Sequence, residues 1–419
     1  MPSCENPHVS ITHASIPASP WIKRFSYAIR NIVVEAERVE ASGTKVRYLN
    51  IGDPVAFGFK TPAHLVEAVA QALRDGHNGY GPSAGILEAR EAVADENTAK
   101  GWPIQPDRVF ITAGTSEAIE LTLTALLDRD GEVLVPMPTY PMYTAVIARI
   151  GARAVYYRTD PSRGWVPDLD HLKTLVTPAT RAIVVIDPNN PTGASYPTPV
   201  RRSILEFAER YGLAVVADEV YGDLGYEGGV APLGSFNHDA PVISFSSLSK
   251  AYLAPGWRTG WIAIGRTPRL DEVTAAIRKL ADGRLCSTLP MQHAVRAALK
   301  GDKSHQVSFR TALKARATLT TESVCAMPGV TCMTPRAGFY AMPKVSLPPG
   351  KTDEDYVLGL LRATGVLCVY GSGFGLPPSE GYFRIVFLAS LEELATVYRL
   401  MADFTADFLG RSDGRPRQA

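Results

Sequence analysis

Six short apolar runs recur along the first two thirds of the chain, and each one breaks into polar or glycine-containing residues. The runs lie at 108–112, 132–136, 181–187, 213–218, 242–247 and 260–265. They are continuously apolar instead of alternating, which is typical of strands covered by helices on both faces. Helical spacing of apolar residues fills the segments between them, as at 116–127. The pattern predicts an α/β fold with a doubly wound, mostly parallel sheet.

The pattern changes near residue 300, where longer helical segments alternate with short apolar runs. Helices are predicted at 22–40, 304–326, 353–364 and 390–408. We therefore expect a smaller α+β domain beside the large sheet domain. The predicted division of the chain is an N-terminal arm at 1–21, the N-terminal part of the small domain at 22–55, the large domain at 56–300, the C-terminal part of the small domain at 301–408 and a disordered polar tail at 409–419.

Charge and composition limit the kinds of binding partner and the cellular compartment that we expect for this protein. The 43 basic and 42 acidic residues nearly cancel and form no basic stripe, so we expect no nucleic-acid or membrane-surface partner. The N-terminus lacks the charged and apolar regions of a signal peptide, and no apolar run reaches the roughly 18 residues of a membrane helix. Five scattered cysteines show neither metal-ligand nor disulfide spacing, which indicates a cytoplasmic protein without a bound metal.

Polar residues follow four of the predicted strands, at the sheet edge where α/β proteins bind ligands. After the first run, Gly114 allows a sharp turn while Thr115 and Ser116 open a helix. That helix N-terminus is suited to a phosphate, although a plain helix cap would use the same residues. After the third run comes "PNNPTG", in which Asn190 either binds a ligand or holds the turn.

Two further strand ends carry charged side chains. Asp218 closes an apolar run, where a carboxylate needs a cationic ligand, a buried ion pair or a helix cap, and Tyr221 follows three residues later. Lys250 follows the fifth run, with Ser247 and Arg258 on either side as candidates for binding an anion. A lysine desolvated near other cations has a lowered pKa and becomes a nucleophile, whereas an isolated lysine is usually a solvated surface residue.

Together these groups are complementary to pyridoxal 5'-phosphate. A lysine can form an imine with it, a carboxylate can pair with its pyridinium nitrogen, and a tyrosine and an asparagine can bind its phenolate oxygen. A helix N-terminus, a serine and an arginine can hold its phosphate. The sequence therefore predicts a pyridoxal-phosphate site centred on Lys250.

The motifs that carry these residues resemble those of fold-type I pyridoxal-phosphate-dependent aminotransferases of class I/II. The resemblance runs from about residue 22 to 408 and is strongest toward the alanine aminotransferase branch. Its motifs are "NIGDP", "GYGPSAG", "AGTSEA", "PMPTYPMY", "PNNPTG", "ADEVYGD", "SFSSLSK", "GWRTGW" and "RIVF". It implies the two-domain architecture of fold type I and a homodimer whose active sites are shared between subunits.

The resemblance implies a role for each matching residue. Lys250 would be the catalytic residue that binds the cofactor covalently and moves a proton. The implied cofactor-binding residues are Gly114, Thr115, Ser116, Tyr140, Asn190, Asp218, Tyr221, Ser247, Lys250 and Arg258, together with Tyr80 acting across the dimer. The implied substrate-binding residues are Gly52, Asn190, Arg384 and Arg284.

Several of these residues have simpler explanations that the sequence leaves open. Arg384 lies in an apolar run, where an arginine is more often part of an internal ion pair. Tyr80 and Tyr140 are also compatible with ordinary aromatic packing. Arg284 would bind a second substrate carboxylate if it faces the site, and otherwise would be a structural or interface residue.

The expected activity is transfer of an amino group between an L-amino acid and a 2-oxo acid by a ping-pong mechanism. Alanine or glutamate is the favoured donor, with pyruvate or 2-oxoglutarate as acceptor. The alternatives are a broad or aromatic aminotransferase, or a β-lyase or oxidative deaminase on the same fold. A ligand-binding regulator would need a DNA-binding domain of about 60–70 residues, which the ~20 residues before the family match are too short to form.

Overall fold

The structure is a computed structural model that describes residue 16 and residues 28–410. The predicted arm at 1–21, apart from Ile16, lies outside the described residues, as do residues 411–419 of the predicted tail. Within 28–410, none of the helices is both long enough and apolar enough to cross a lipid bilayer.

Helices and strands alternate through the described chain, in the order expected for an α/β fold. The α-helices are α1 (Ala28–Ala41), α2 (Ala63–Arg74), α3 (Leu87–Ala99), α4 (Thr115–Leu126), α5 (Pro141–Ile150), α6 (Leu169–Leu175), α7 (Thr198–Tyr211), α8 (Asp271–Gly283), α9 (Leu289–Lys300), α10 (Ser304–Cys325), α11 (Asp353–Thr364) and α12 (Leu391–Gly410). The strands are β1 (Arg47–Tyr48), β2 (Val109–Thr112), β3 (Glu132–Met137), β4 (Arg153–Asp160), β5 (Val166–Pro167), β6 (Thr180–Ile186), β7 (Ala214–Asp218), β8 (Val242–Ser247), β9 (Gly260–Ile264), β10 (Val330–Thr331), β11 (Tyr340–Ala341), β12 (Lys344–Val345), β13 (Val366–Leu367), β14 (Val369–Tyr370) and β15 (Phe383–Val386).

Within the described residues, the large sheet has the strand order β2-β9-β8-β7-β6-β3-β4-β5. Six of its eight strands run in one direction, while β9 is antiparallel to both of its neighbours and β5 is antiparallel to β4. All six predicted strands are present, and each has bounds within one residue of the prediction. The prediction of a doubly wound, mostly parallel sheet is therefore confirmed.

The apolar pattern does not predict β4 and β5, which complete the sheet beyond β3. Most residues of β4 are exposed or half-buried, and Arg153, Arg158 and Asp160 lie among them. Near a sheet edge one face meets solvent, so the continuous apolar run that marks the central strands is missing. β5 contains only two residues, which is too short for any periodicity to identify it.

Strand β7 shows how the centre of the sheet is covered. Val215 and Ala217 pack in one hydrophobic cluster, and Ala214 and Val216 pack in a second one. Successive side chains of a strand point to opposite faces, so the two clusters lie on opposite faces of the sheet. Burial on both faces explains why the central strands are continuously apolar.

Three small sheets accompany the large one in the described part of the chain. β1 pairs in parallel with β13, which joins the segment near residue 47 to the segment near residue 366. β10 pairs with β12, and β15 lies between β11 and β14, all of them antiparallel. These pairings are what we expect if 22–55 and 301–408 form one small domain, and the bounds of that domain stay a prediction.

Local signals fix the ends of the helices α11 and α4. α11 begins with a capping box between Thr352 and Asp355 and ends at Gly365, whose φ is 73°, in agreement with the helix predicted there. α4 begins directly after Gly114, whose φ is 80°. A left-handed residue at this point turns the chain sharply, so the free N–H groups of α4 lie just beyond the end of β2.

Candidate active site

A cavity of about 530 Å³ lies where the residues that follow β2, β6, β7 and β8 meet segments of the small sheets. The predicted site residues that line it are Gly52, Thr115, Ser116, Tyr140, Asn190, Asp218, Tyr221, Ser247, Lys250, Arg258 and Arg384. Asn50, Ser249 and Tyr340 line the same cavity but were not among the predicted site residues, although Asn50 and Ser249 lie within the quoted motifs. The cavity therefore brings together most of the residues predicted from four separate strand ends.

Lys250 follows β8 by three residues, and its Nζ donates a hydrogen bond to the backbone oxygen of Gly52 at 2.7 Å. Burial is the main reason that the pKa of Lys250 is lowered to about 8. The charges of Arg384 and Arg258 also lower this pKa, while the charge of Asp53 opposes the shift. A lysine with this pKa is partly neutral near pH 7, which is the form that acts as a nucleophile or a base.

Asp218 is the last residue of β7 and is only 5% exposed. Its Oδ2 accepts a hydrogen bond from the Tyr143 hydroxyl at 3.0 Å, and its Oδ1 accepts one from the backbone N–H of Val220 at 3.3 Å. Burial raises the pKa of Asp218 to about 6. A carboxylate buried in this way gains stability from a cationic ligand in the cavity.

Tyr221 and Asn190 lie on the cavity wall between the sheet edge and the small sheets. The Tyr221 hydroxyl is 2.8 Å from the Tyr340 hydroxyl, and burial raises the pKa of Tyr221 well above its usual value, so it stays protonated at neutral pH. Asn190 Oδ1 accepts a hydrogen bond from Arg384 Nη1 at 3.0 Å. Both side chains keep donor groups that a ligand in the cavity can use.

Arg384 lies in β15 and is 2% exposed, which is rare for an arginine. Its guanidinium carbon lies 4.8 Å from the ring centroid of Tyr340 and 4.9 Å from that of Phe374. It also donates a hydrogen bond to the backbone oxygen of Asn50. The two rings and the hydrogen bonds to Asn190 and Asn50 restrict the orientation of the planar guanidinium, a group whose shape matches that of a carboxylate.

The N-terminus of α4 forms the other end of the cavity, together with Arg258 and Ser247. Arg258 has a positive φ of 51°, and its guanidinium donates to the backbone oxygen of Pro255 at 3.0 Å. The Ser247 hydroxyl oxygen accepts from the backbone N–H of Ser249 at 3.2 Å, which leaves its proton for a ligand. This end offers backbone N–H groups, hydroxyl groups and a cation, which are the groups that bind a phosphate.

Three predicted residues do not line the cavity of this chain, namely Gly114, which lies directly before α4, Tyr80 and Arg284. Tyr80 is 85% exposed. Arg284 forms an ion pair with Glu117, with Nε 3.0 Å from Oε1, and donates to the backbone oxygens of Ser83 and Ile111. These contacts favour the structural explanation of Arg284, and its role with a second carboxylate stays a prediction.

The residues of the cavity fit pyridoxal phosphate on two further observations. Thr115 Oγ1 is buried and has no hydrogen-bond partner among the described residues, which suits a hydroxyl that binds a phosphate. A Cβ at position 114 would collide with the Arg258 guanidinium, so Gly114 lets the arginine lie against the start of α4. Lys250 and Asp218 at the same cavity supply the amine and the carboxylate that the cofactor requires.

Comparison with known proteins agrees with this geometry. The family "aminotransferase class I and II" matches residues 44–399. The chain is similar to the glutamate-pyruvate aminotransferase AlaA of Haemophilus influenzae, with 36% identity over 94% of this chain and 98% of the relative. It is similar to the alanine aminotransferase of Mycobacterium bovis, with 36% identity over 91% of each chain. Its fold is similar to the solved structure of alanine aminotransferase from Pyrococcus furiosus, with a TM-score of 0.91, 40% identity and coverage of 93% of this chain and 100% of that chain.

The match spans far more than half of the chain and includes every segment that contributes to the cavity. The resemblance noted in the sequence motifs is confirmed, and with it the dependence on pyridoxal phosphate. The chain belongs to the class I and II aminotransferases and is a pyridoxal-phosphate-dependent transaminase.

Proposed function

We propose that this transaminase exchanges an amino group between L-alanine or L-glutamate and a 2-oxo acid, pyruvate or 2-oxoglutarate. The names of its relatives, glutamate-pyruvate aminotransferase and alanine aminotransferase, support this choice of substrates. The observation that carries the proposal is the convergence of Lys250, Asp218 and Arg384 on one cavity. It brings an amine, a carboxylate and a guanidinium within reach of one small ligand.

Lys250 is the proposed cofactor-binding and proton-transferring residue. Bound pyridoxal phosphate supplies an electron sink for the electrons released at the substrate Cα. Because the pKa of Lys250 is lowered to about 8, its Nζ can be neutral at physiological pH and take the proton from Cα. The hydrogen bond to the Gly52 carbonyl fixes the amine on one wall of the cavity before it acts.

Asp218 is proposed to pair with the pyridine nitrogen and keep it protonated. Burial raises the pKa of Asp218 to about 6, although the charge of Lys250 opposes this shift, and a cationic ligand beside the carboxylate would lower the pKa further. The hydrogen bond from Tyr143 fixes one carboxylate oxygen, so the carboxylate keeps a single orientation. Tyr221 and Asn190 are proposed to bind the ring oxygen, and Tyr140 to stack on the ring.

The phosphate is proposed to bind at the start of α4. Thr115 and Ser116 offer hydroxyl and backbone N–H groups there, and Ser247 and Arg258 face the same end of the cavity. Gly114 gives the turn that opens the helix toward the ligand. A helix N-terminus and a guanidinium together neutralise a phosphate without moving any backbone segment.

The substrate α-carboxylate is proposed to bind Arg384, with Asn190 and the backbone of Gly52 beside it. A guanidinium and a carboxylate form two parallel charge-assisted hydrogen bonds, which fix the direction of the Cα–H bond as well as the position of the substrate. The aromatic rings of Tyr340 and Phe374 restrict the guanidinium to one plane, so little side-chain freedom is lost on binding.

We also propose an oligomeric state and a cellular compartment for the protein. We propose a cytoplasmic homodimer in which Tyr80 of each subunit reaches the phosphate of the other, since this residue is 85% exposed in the single chain. A large exposed tyrosine is typical of a side chain that another protein surface covers. The division into a large domain and a two-part small domain belongs to the same proposal.

Half-reaction experiments test the proposed function. Purified holoenzyme is mixed with one amino acid and no acceptor, and the keto acid and the spectrum of the bound cofactor are followed. We expect one equivalent of keto acid per site with alanine or glutamate, and no ammonia. Repeated turnover with release of ammonia would instead show a lyase or a deaminase. Equal rates with tyrosine or phenylalanine would contradict the proposed substrates.

A further inference from the structure

We propose that Tyr340 is a positioning residue for the transamination reaction, which holds the Tyr221 hydroxyl as a hydrogen-bond donor toward the ring oxygen of bound pyridoxal phosphate. The inference rests on the proposed role of Tyr221. Tyr340 acts through Tyr221, so it is distinct from the residues that touch the cofactor.

Tyr340 brings the small sheets into contact with the edge of the large sheet. It is the first residue of β11, is 3% exposed and lines the cavity. Its hydroxyl oxygen lies 2.8 Å from that of Tyr221, and the two ring centroids are 5.5 Å apart with an interplanar angle of 84°. The two hydroxyl groups therefore share one hydrogen bond, and the ring geometry fixes where they meet.

Counting protons sets the direction of that hydrogen bond. A tyrosine hydroxyl has one proton to donate, and the raised pKa of Tyr221 keeps its proton in place at neutral pH. When Tyr221 donates this proton to an anionic ring oxygen, the proton between the two hydroxyl groups must come from Tyr340. Hydrogen bonds in such a chain strengthen one another, so Tyr340 makes Tyr221 a better donor.

Other contacts hold Tyr340 at this point. A Cβ at position 52 would collide with the Tyr340 hydroxyl, so the glycine there makes room for it. The Gly52 carbonyl accepts the hydrogen bond from Lys250, and the ring of Tyr340 packs on the guanidinium of Arg384 at 4.8 Å. Tyr340 thus lies against Gly52, which binds Lys250, and against Arg384, which is proposed to bind the substrate carboxylate. Its hydroxyl group at the same time shares a hydrogen bond with Tyr221.

The test is a spectroscopic pH titration of holoenzyme carrying Tyr340→Phe. The cofactor and Lys250 share one proton when the cofactor is bound. The visible absorbance of the bound cofactor changes with pH because this proton is lost as the pH rises. A hydrogen bond from Tyr221 stabilises the ring oxygen after that proton has left. Weakening this bond makes the proton harder to remove, so the midpoint of the titration should rise by about half a unit to one unit.

Tyr226→Phe is the matched control. The Tyr226 hydroxyl donates to the backbone oxygen of Gly338 at 2.9 Å, two residues from Tyr340, and Tyr226 does not line the cavity. This variant should leave the midpoint unchanged. A midpoint that is unchanged in Tyr340→Phe, or that rises equally in both variants, would overturn the inference and leave Tyr340 a packing residue.

A double-mutant cycle with Tyr221→Phe completes the test. If Tyr340 acts through Tyr221, then Tyr340→Phe should add no further shift once the Tyr221 hydroxyl is gone. An equal shift in both backgrounds would contradict the inference even if Tyr340→Phe lowers thermal stability. Failure of the proposed role of Tyr221 would look different, because Tyr221→Phe alone would then leave the midpoint unchanged, and the inference would fail with it.

Discussion

The two sides of the cavity are built in different ways. On the large-sheet side, Thr115, Asp218 and Lys250 each lie at a strand end or within three residues of one. On the small-sheet side, Gly52 and Tyr340 come from segments almost 300 residues apart along the chain. The sheet edge supplies groups suited to a cofactor, and the small sheets supply a guanidinium suited to a substrate carboxylate. We therefore propose a site that combines cofactor-binding groups placed at neighbouring strand ends with a substrate contact that depends on long-range packing.

From this difference between the two sides of the cavity we expect two distinct kinds of functional loss in variants. Changes on the large-sheet side should weaken the binding or the chemistry of the cofactor. On the small-sheet side, changes to the proposed substrate contact Arg384 should raise the KM for the amino acid and leave the cofactor bound, whereas Tyr340 is proposed to act on the cofactor through Tyr221. A variant on either side that produces the opposite loss would break the distinction.

The largest effect is expected for Lys250→Ala. Loss of the amine removes both the covalent attachment and the base, so transaminase activity should fall by at least about 10²–10⁴-fold. The measurement is the rate of keto-acid formation with saturating amino acid. Lys100→Ala is the control, since Lys100 is paired with Asp223 at 2.6 Å and lies outside the cavity. Comparable activity in the two variants would contradict the role of Lys250.

Arg384→Lys should give the next largest effect, and it tests the small-sheet side. Lysine keeps the charge but loses the fork that binds both carboxylate oxygens, so kcat/KM for the amino acid should fall by about 10- to 100-fold. The visible cofactor band should remain. Arg201→Lys is the matched control, because Arg201 is also buried but pairs with Asp187 at 2.7 Å. We expect that control to lose thermal stability and to keep its KM. An unchanged KM in Arg384→Lys would remove the basis for the substrate contact.

Thr115→Val sharpens the comparison on the large-sheet side. It removes one hydroxyl at the start of α4, so the affinity for pyridoxal phosphate should fall by about 3- to 10-fold. Thr122 offers a control in the same helix, because its Oγ1 is also buried without a hydrogen-bond partner among the described residues, yet it does not line the cavity. Titration of cofactor-free protein measures both affinities. Equal affinities in Thr115→Val and Thr122→Val would show that the unpartnered hydroxyl has no part in phosphate binding.

The smallest expected effect is a dependence of stability on pH in the cofactor-free protein. The pKa of Lys250 falls from an ordinary 10.5 to about 8 in the folded chain, so protonated Lys250 destabilises the fold below pH 8. This cost disappears as the pH rises from about 8 to 10.5. Lys250→Met should therefore raise the thermal midpoint at pH 7 and change it less at pH 10.5.

Lys100→Met provides the contrast for that measurement. Burial opposes the shift, but the charges of Asp223 and Glu96 raise the pKa of Lys100 above its usual value. Removing this lysine leaves two carboxylates close together, so stability at pH 7 should fall. A gain of stability at pH 7 in both variants would mean that burial of the Lys250 charge is not the cause.

Adjacency along the chain decided what could be predicted from the sequence. Asp218 and Lys250 were predictable because strand ends of a parallel sheet meet at one edge, so residues beside them converge. Tyr143 and Tyr340 lie 75 and 119 residues from Asp218 and Tyr221, their respective partners, and no pattern within a strand or helix specifies those contacts. Tyr143 had one available signal, since it lies in the first turn of α5, three residues after Tyr140, which directly precedes the helix.

The limits of the apolar pattern appear in β4 as well. Its sequence "RAVYYRTD" pairs in register with β3 from Arg153 to Arg158, although half of its residues are polar. The backbone hydrogen bonds of a sheet do not depend on side-chain polarity, and the pattern reports only which faces are buried. Predicting a strand near an exposed edge therefore requires knowing which strands lie beside it, and the sequence does not give this directly.

The most direct test of the account is to identify the residue that holds the cofactor. Holoenzyme is treated with borohydride, digested and mapped by mass spectrometry, with Lys250→Ala holoenzyme prepared in parallel. If Lys250 holds the cofactor, the reduced cofactor is fixed on the peptide containing Lys250, and the Lys250→Ala protein carries no such label. A label on a different lysine, or an unchanged peptide map after reduction, would contradict it.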